Sequence, residues 1–158
     1  MRVVACIVLL ITLLVGAFLG YCYFGARMGI EGVTATLTPA TDMPEQFAAL
    51  REQVENGAFY GTKYRAADLT RPEDYAFLTL TVRMTNSGPL PQDWVRIEVT
   101  PTNADVLLLP ADQPPTLSPG TSASLGAVLL TEKNAEWERH VRVTYYVMGR
   151  GLEVWWAE

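Results

Sequence analysis

A long uncharged stretch near the start of the chain constrains the fold most strongly. From Val3 to Phe24 the sequence has no charged side chain, and only Thr12 is clearly polar. About twenty apolar residues, at a rise of about 1.5 Å each, can cross a hydrocarbon core of about 30 Å as a helix. Within lipid a helix satisfies its own backbone polar groups, so we predict a transmembrane anchor over residues 1–26.

A cleaved signal peptide is the alternative interpretation of the same stretch. Its charged start would consist of Met1 and Arg2 only, and the apolar run continues well past the best small-residue cleavage site, at residues 15–17. Cleavage there would leave an apolar N-terminus, so an uncleaved anchor is favoured. Only Arg2 and Arg27 flank the stretch closely, and we expect a single pass through the cell membrane, with the N-terminus cytoplasmic and the C-terminal domain extracytoplasmic.

Two glycines in the apolar stretch have the spacing of a helix–helix contact. Gly16 and Gly20 are four residues apart and therefore share one face of a helix. Small residues at this spacing let two membrane helices approach closely. The chain could accordingly be an accessory subunit of a membrane complex that is assembled through its transmembrane helix.

The remainder of the chain is acidic. All 17 Asp and Glu residues, and all but one of the 12 Lys and Arg residues, follow the apolar stretch. A net negative region without a Lys/Arg cluster argues against nucleic-acid binding. Both cysteines, Cys6 and Cys22, lie inside the stretch, and the sequence has no Asn-x-Ser/Thr site. An extracytoplasmic domain without disulfides or glycosylation sites is typical of a bacterial surface protein.

Apolar and polar residues alternate over most of the chain after the anchor. We expect a short juxtamembrane stalk over residues 27–31 and one domain over residues 32–158. Segments with the two-residue period of a half-buried strand lie near 32–38, 75–84, 95–99, 123–129, 141–147 and 152–156, and a short apolar strand is expected at 106–109. Seven short strands with turn residues between them predict an all-β fold, an antiparallel β-sandwich.

One segment of the domain has a helical period instead. Phe47, Leu50 and Val54 recur at three- and four-residue spacing and predict a short inserted helix at about 42–56, with Thr41 or Asp42 as its N-cap. Residues 58–74 carry weaker signals and could form an edge strand or an ordered loop. We expect the last hairpin to turn at Gly149-Arg150-Gly151, because glycine permits positive φ angles.

Three runs of the domain resemble a known group of modules. They are L-T-L-T-V-R-M-T-N-S-G, W-V-R-I-E-V-T-P and L-S-P-G-T-S-A-S-L-G-A-V-L-L, which begin at Leu78, Trp94 and Leu117. Together they are similar to bacterial membrane-anchored immunoglobulin-like proteins with CARDB/NEW3-type sandwiches, over roughly residues 75–158. The helix near 42–56 departs from that pattern. The resemblance implies an Ig-like fold and a surface-adhesive or assembly role, and it implies no catalytic residue.

The residue types present argue against an enzyme. His140 is the single histidine, it lies on the polar face at a strand start, and the sequence has no Gly-x-Ser-x-Gly motif. Zinc sites need clusters of His or Cys. The acidic groups around Asp74 and Glu136 are typical of solvated turns rather than of a calcium loop. We therefore predict no catalytic residue, no metal and no cofactor.

Aromatic residues provide the candidate site. Six of them are expected on the faces opposite the aliphatic ones: Tyr75, Phe77, Trp94, Trp137, Tyr146 and Trp155. Exposed rings can bind a protein partner or a cell-wall glycan. The alternative is that the helix around Phe47 covers this sheet and buries them. We expect a non-catalytic domain for protein–protein contact at the cell surface, with glycan or small-ligand binding as the alternative.

Overall fold

The computed structural model describes residues 2–111 and 115–156. Its helices are α1 (Arg2–Phe24) and α2 (Pro44–Glu55), and single 3₁₀ turns lie at Ala40–Asp42 and Pro72–Asp74. The strands are β1 (Met28–Pro39), β2 (Thr62–Lys63), β3 (Tyr75–Asn86), β4 (Asp93–Val99), β5 (Asp105–Leu108), β6 (Ser122–Glu132), β7 (Val141–Val147) and β8 (Arg150–Trp155).

Helix α1 contains the uncharged stretch identified above. Its 23 residues make it long and apolar enough to cross a membrane, which is a property that signal sequences share. Its large apolar side chains are exposed along the helix, as at Leu10 and Phe18. Within a water-soluble fold such exposure would be costly, at about 1.5–3 kcal/mol for each large side chain left in water.

The strands form two antiparallel sheets. The larger has the order β1-β3-β6-β5-β2, and the smaller has the order β4-β7-β8. β1 pairs with β3 from Met28 opposite Asn86 to Pro39 opposite Ala76. β1 follows α1 after three residues, so the start of β1 and the end of β3 lie at one end of the domain. We call this the α1 end.

The two sheets share one core. The larger sheet contributes buried side chains such as Leu80, Val82 and Leu129, and the smaller contributes others such as Val95 and Val143. These residues follow the two-residue period of their strands, so the faces that the two sheets turn towards each other are apolar. Burial of each such side chain stabilises the fold by about 1.5–3 kcal/mol relative to leaving it exposed.

A second core lies under α2 at the end of the domain opposite the α1 end. Phe47 and Leu50 of α2 pack with Tyr75, Phe77 and other buried residues of the larger sheet. The rings of Phe47 and Tyr75 stack at 5.8 Å between centroids. Tyr75 and Phe77 are 9% and 1% exposed, so their assignment to an exposed aromatic surface is wrong, and the alternative of burial beneath the helix around Phe47 is confirmed for these two residues. They face a helix that covers this part of the sheet.

Asn86 joins two turns, at residues 86–88 and 117–120, which lie in two of the runs that resemble Ig-like modules. Its buried Nδ2 donates to the carbonyl oxygens of Leu90 (2.8 Å) and Leu117 (3.0 Å), and its Oδ1 accepts the Gly88 N–H at 2.9 Å. The Gly120 N–H donates to the Asn86 carbonyl at 2.8 Å. Both turns at the α1 end are therefore held by Asn86, and each polar group of its buried side chain has a hydrogen-bond partner. The role of Asn86 is structural.

Several predicted elements need correction. The described part of the chain has eight strands rather than seven, because Thr62 and Lys63 form a two-residue edge strand in the segment where an edge strand or a loop was expected. Residues 27–31 do not form a stalk, since β1 already begins at Met28 and pairs with β3. Only three residues therefore connect α1 to the first strand of the sheet.

Two local predictions also differ in detail. The helix expected at about 42–56 is confirmed as α2, but Met43 is its N-cap residue and makes no side-chain capping bond. Thr41 and Asp42 lie in the preceding 3₁₀ turn instead. The last hairpin turns at Met148-Gly149, one residue earlier than expected. Both residues have positive φ, as a two-residue type I′ turn requires.

Candidate interaction surface

The outer face of the smaller sheet brings together three of the predicted aromatic residues. Along β7 the odd-numbered side chains are buried, so its even-numbered ones point outward, and the neighbouring strands match this register. We call the outward side chains of this sheet the aromatic face: Trp94, Arg96, Glu98, Arg142, Thr144, Tyr146, Glu153 and Trp155. Trp94, Tyr146 and Trp155 are about half exposed, at 58%, 47% and 51%.

The backbone at Trp94 is unusual. Trp94 has a φ of +54°, and the pairing of β4 with β7 shifts register between Asp93 and Arg96. A bulge of this kind changes the direction of a side chain and increases the local twist. A bulky residue in the left-handed region costs on the order of 1–3 kcal/mol and is found mainly at functional sites. The exposed indole ring is thus held in place at a cost in local backbone energy.

Arg142 is the centre of an ion-pair network on the aromatic face. It pairs with Glu98 on β4 and, at 3.2 Å, with Glu153 on β8. Hydrogen bonding to Glu98 is the main reason why the pKa of Arg142 is raised above its ordinary value. Its Cζ also lies 5.1 Å from the centroid of the Trp155 ring, within the range of a cation–π contact. Cross-strand contacts therefore fix the charged and aromatic groups together.

A shallow depression lies on the side of the aromatic face nearest the α1 end. It has a volume of about 480 Å³ and is lined by Asp93, Trp94, Arg96, Glu98, Thr144, Tyr146 and Gly149. The small side chain of Thr144 lies between larger residues on both neighbouring strands. The guanidinium of Arg96 lies 5.8 Å from the Trp94 ring centroid. The depression combines aromatic surface with hydrogen-bonding groups of both charges.

Trp137 lies apart from the aromatic face. It is 56% exposed and belongs to the segment between β6 and β7 rather than to a strand. This segment is fixed by Arg139, whose Nε and Nη2 donate to the two Asp105 carboxylate oxygens at 3.0 and 2.8 Å. Both side chains are fully buried. The structure therefore does not bring Trp137 together with Trp94, Tyr146 and Trp155.

The Arg139–Asp105 pair was not identified from the sequence. The two residues are 34 positions apart, and neither belongs to a recognisable motif. Desolvation acts to raise the pKa of Asp105, but hydrogen bonds from Arg139 and from the Thr102 backbone outweigh it and hold the pKa below its usual range. The pair is fully hydrogen-bonded and lies away from the depression, so its role is structural.

The remaining predicted residues can be located as well. Gly16 and Gly20 lie on α1, and a Cβ atom at either position would meet nothing within 4 Å. The helix–helix contact expected there stays a prediction. His140 is exposed beside the start of β7. Among the described residues, no group of three or more His, Cys, Asp or Glu side chains is placed to hold a metal ion.

Comparisons of the chain with family models, with curated proteins and with solved structures give no match.

Proposed function

We propose that this chain is a single-pass membrane protein that presents an immunoglobulin-like β-sandwich outside the cytoplasm, where the domain binds a partner protein without catalysis. The anchor is supported by α1, which has 23 residues, no charge after Arg2 and exposed apolar side chains along its length. A helix of this kind satisfies its backbone hydrogen bonds within lipid and buries its side chains there.

The strand order supports the Ig-like part of the proposal. Leaving the two-residue β2 aside, the sheets have the orders β1-β3-β6-β5 and β4-β7-β8. In constant-type immunoglobulin domains the chain order of seven strands gives this same division into four and three. The domain differs from antibody domains in having its β4 tryptophan exposed and no cysteine after Cys22. No disulfide therefore joins its two sheets.

The aromatic face is the single observation that carries the binding proposal. Three large rings with about half of their surface exposed lie on one sheet, whereas the opposite faces of the same strands are buried. Clustered exposed aromatic residues, together with arginine, are the composition of interaction hot spots. The ion pairs of Arg142 hold these groups in place before a partner arrives, which lowers the entropy cost of binding.

The proposal is tested by capture of a partner from membranes. The full-length chain is cross-linked in its own membranes and is then solubilised in detergent and purified. The proteins captured with it are identified by mass spectrometry. A variant with Trp94→Ala, Tyr146→Ala and Trp155→Ala should lose the partner. The matched control, Tyr60→Ala with Trp137→Ala, removes exposed rings outside the aromatic face and should retain it. Equal capture by both variants would refute the assignment.

Glycan binding is the second candidate, and the depression beside Trp94 favours it. Sugars stack on exposed indole rings and hydrogen-bond to charged groups around them, and Arg96, Glu98 and Thr144 supply such groups here. Titration with cell-wall glycan fragments should then change the tryptophan fluorescence, and Trp94→Ala should remove that change. An unchanged spectrum at millimolar sugar would exclude this candidate.

Assembly through α1 is a separate candidate, supported by the open space beside Gly16 and Gly20. Close approach of two helices needs small residues at this spacing. Replacing both glycines by leucine should then weaken assembly in the membrane, whereas Ala17→Leu, on a different face, should not. Unchanged assembly after exchange of α1 for an unrelated apolar helix would remove this candidate.

A further inference from the structure

The junction between α1 and the β domain is closely packed. The Arg27 carbonyl accepts hydrogen bonds from Gln92 Nε2 (2.9 Å) and from the Ser87 N–H (3.0 Å). A Cβ atom added at Gly88 would lie 3.0 Å from the carbonyl oxygen of Gly25 and 3.1 Å from the Arg27 nitrogen. These hydrogen bonds, and the lack of space for even a methyl group at Gly88, leave no room for a hinge of free residues, so the domain has a defined position relative to α1.

The β7–β8 hairpin lies at this junction. The Arg150 guanidinium is 4.5 Å from the ring centroid of Tyr23, which is in the last turn of α1. If α1 spans a bilayer, Tyr23 lies at its surface, where tyrosine rings are preferred. Arg150 is the first residue of β8. The hairpin tip at Met148-Gly149 is therefore held within two residues of the residue that contacts Tyr23, at the level of the bilayer surface.

Met148 is unfavourable at this position for the domain by itself. Its φ is +50°, and the following Gly149 has +79°. The first position of a type I′ turn prefers Asn, Asp or Gly, because other residues are strained there. Met148 is also 75% exposed, so most of its apolar side chain has no contact with the described part of the chain. Strain and exposure together point to a contact outside the domain.

The charges at the two ends of the domain differ. Arg27 and Arg150 are exposed at the α1 end. Of the described carboxylates there, Glu31 pairs with Arg83 at 2.8 Å, and Asp93 accepts the Thr116 hydroxyl at 2.8 Å. The exposed acidic residues Glu73, Glu136 and Glu138 lie at or beyond the opposite strand ends, where Asp74 and Glu132 also lie and pair with Arg71 and Arg65. This distribution favours an anionic headgroup surface at the α1 end and disfavours it elsewhere.

We propose that the α1 end of the domain docks on the bilayer, with the Met148-Gly149 hairpin tip inserted among the lipid headgroups beside Tyr23. The partner of this surface is the lipid bilayer that α1 crosses. The proposal rests on the proposed role of α1 as a membrane anchor. Docking of this kind orients the aromatic face at a fixed angle to the membrane, with its Trp94 side closest to the lipid.

Lipid-depth quenching of single labels tests the proposal. In the full-length chain, Cys6 and Cys22 are replaced by alanine, and one new cysteine carries an environment-sensitive fluorophore. The positions are Met148→Cys, Asn134→Cys as an exposed site far from the α1 end, and Leu10→Cys within α1. The chains are reconstituted in vesicles of phosphatidylcholine and phosphatidylglycerol, with and without bromine on the acyl chains.

The label at position 148 should show blue-shifted emission and strong quenching by brominated lipid, whereas the label at 134 should show neither. An unquenched label at 148 beside a quenched label at position 10 would overturn the docking proposal and leave the anchor intact. An unquenched label at position 10 would overturn the anchor itself. Strong quenching at both 148 and 134 would mean that the domain lies on its side against the bilayer, and this would also overturn the proposal.

A second variant separates docking from folding. Met148→Asn supplies the residue that a type I′ turn prefers, so the variant should fold at least as well as the parent chain. It removes the apolar side chain, so a fluorophore at Ser118→Cys, an exposed position in the turn before Gly120 at the α1 end, should be quenched less in the Asn variant than in its Met148 parent. The same quenching in both would show that Met148 makes no contact with lipid.

Discussion

Replacement of Arg139 by methionine is the most informative test of how the domain is held together. Arg139 donates to both oxygens of Asp105 and, through Nη1, to the Glu138 carbonyl at 2.7 Å. Methionine preserves much of the side-chain volume but donates no hydrogen bond. The Asp105 carboxylate would then stay buried at 1% exposure, with hydrogen bonds from Thr102 but without its cationic partner.

The expected loss of stability is large because a buried charge is left without its partner. Removal of one member of a buried ion pair costs about 3–5 kcal/mol, whereas replacement of both members by apolar residues is often neutral. The double variant Arg139→Met with Asp105→Leu should therefore recover most of the loss. For a domain of this size the whole free energy of unfolding is about 5–15 kcal/mol, so the single variant should be severely destabilised.

The contribution of Asp105 to the free energy of unfolding should change with pH in opposite directions in the variant and in the parent. In the parent, the pKa of Asp105 is held below its usual range, so its stabilisation is present above the unfolded value of about 3.9 and is lost as the pH falls through the folded value. Without Arg139, desolvation raises that pKa. The folded variant then binds the proton more tightly than the unfolded chain does, so the stability at this site falls as the pH rises above about 4.

Urea unfolding of the full-length chain in detergent micelles, followed by tryptophan fluorescence, measures both effects. The difference between variant and parent should be larger at neutral pH than near pH 4, by the linkage argument above. Arg51→Met is the matched control, because Arg51 forms an exposed pair with Glu55 and should cost less than about 1 kcal/mol. A loss below about 1 kcal/mol for Arg139→Met, or the same loss at both pH values, would refute the reasoning.

Four further substitutions test the packing by the same unfolding assay. Phe77→Ala should cost about 3–5 kcal/mol because it leaves a cavity in the core beneath α2. Trp155→Ala on the exposed face should cost about 0.5 kcal/mol or less, and similar losses for the two variants would contradict the observed burial. Gly88→Ala should cost about 1–3 kcal/mol, since its Cβ would meet backbone atoms of Gly25 and Arg27, and an unchanged midpoint would show a looser junction. Met148→Asn should raise stability by about 0.5–2 kcal/mol, and a decrease would contradict the turn geometry.

Local periodicity in the sequence predicted most of the secondary structure. The alternation along residues 76–84 identified β3, and the recurrence of Phe47, Leu50 and Val54 identified α2. Such patterns are informative because each residue's side of a strand or helix follows from its position along the element. The uncharged stretch at Val3–Phe24 similarly predicted α1 from length and composition alone.

The candidate site was predicted only in part. Trp94, Tyr146 and Trp155 are exposed on one face, as their positions on the polar sides of their strands suggested. Tyr75 and Phe77 have a similar pattern, yet α2 packs over them and buries them. The period of a strand shows which side chains share a face, but it does not show which face another element covers.

Contacts between residues far apart in the chain were decided by the tertiary structure alone. Arg139 meets Asp105 because β5 and the segment before β7 come together across the domain, and Arg150 meets Tyr23 because the β7–β8 hairpin returns to the end of α1. No local propensity encodes such pairs, since they depend on how the strands are ordered in the two sheets. The sequence by itself therefore determined the elements and their apolar faces, while the packing of those faces decided what is buried, what is exposed and what lies beside α1.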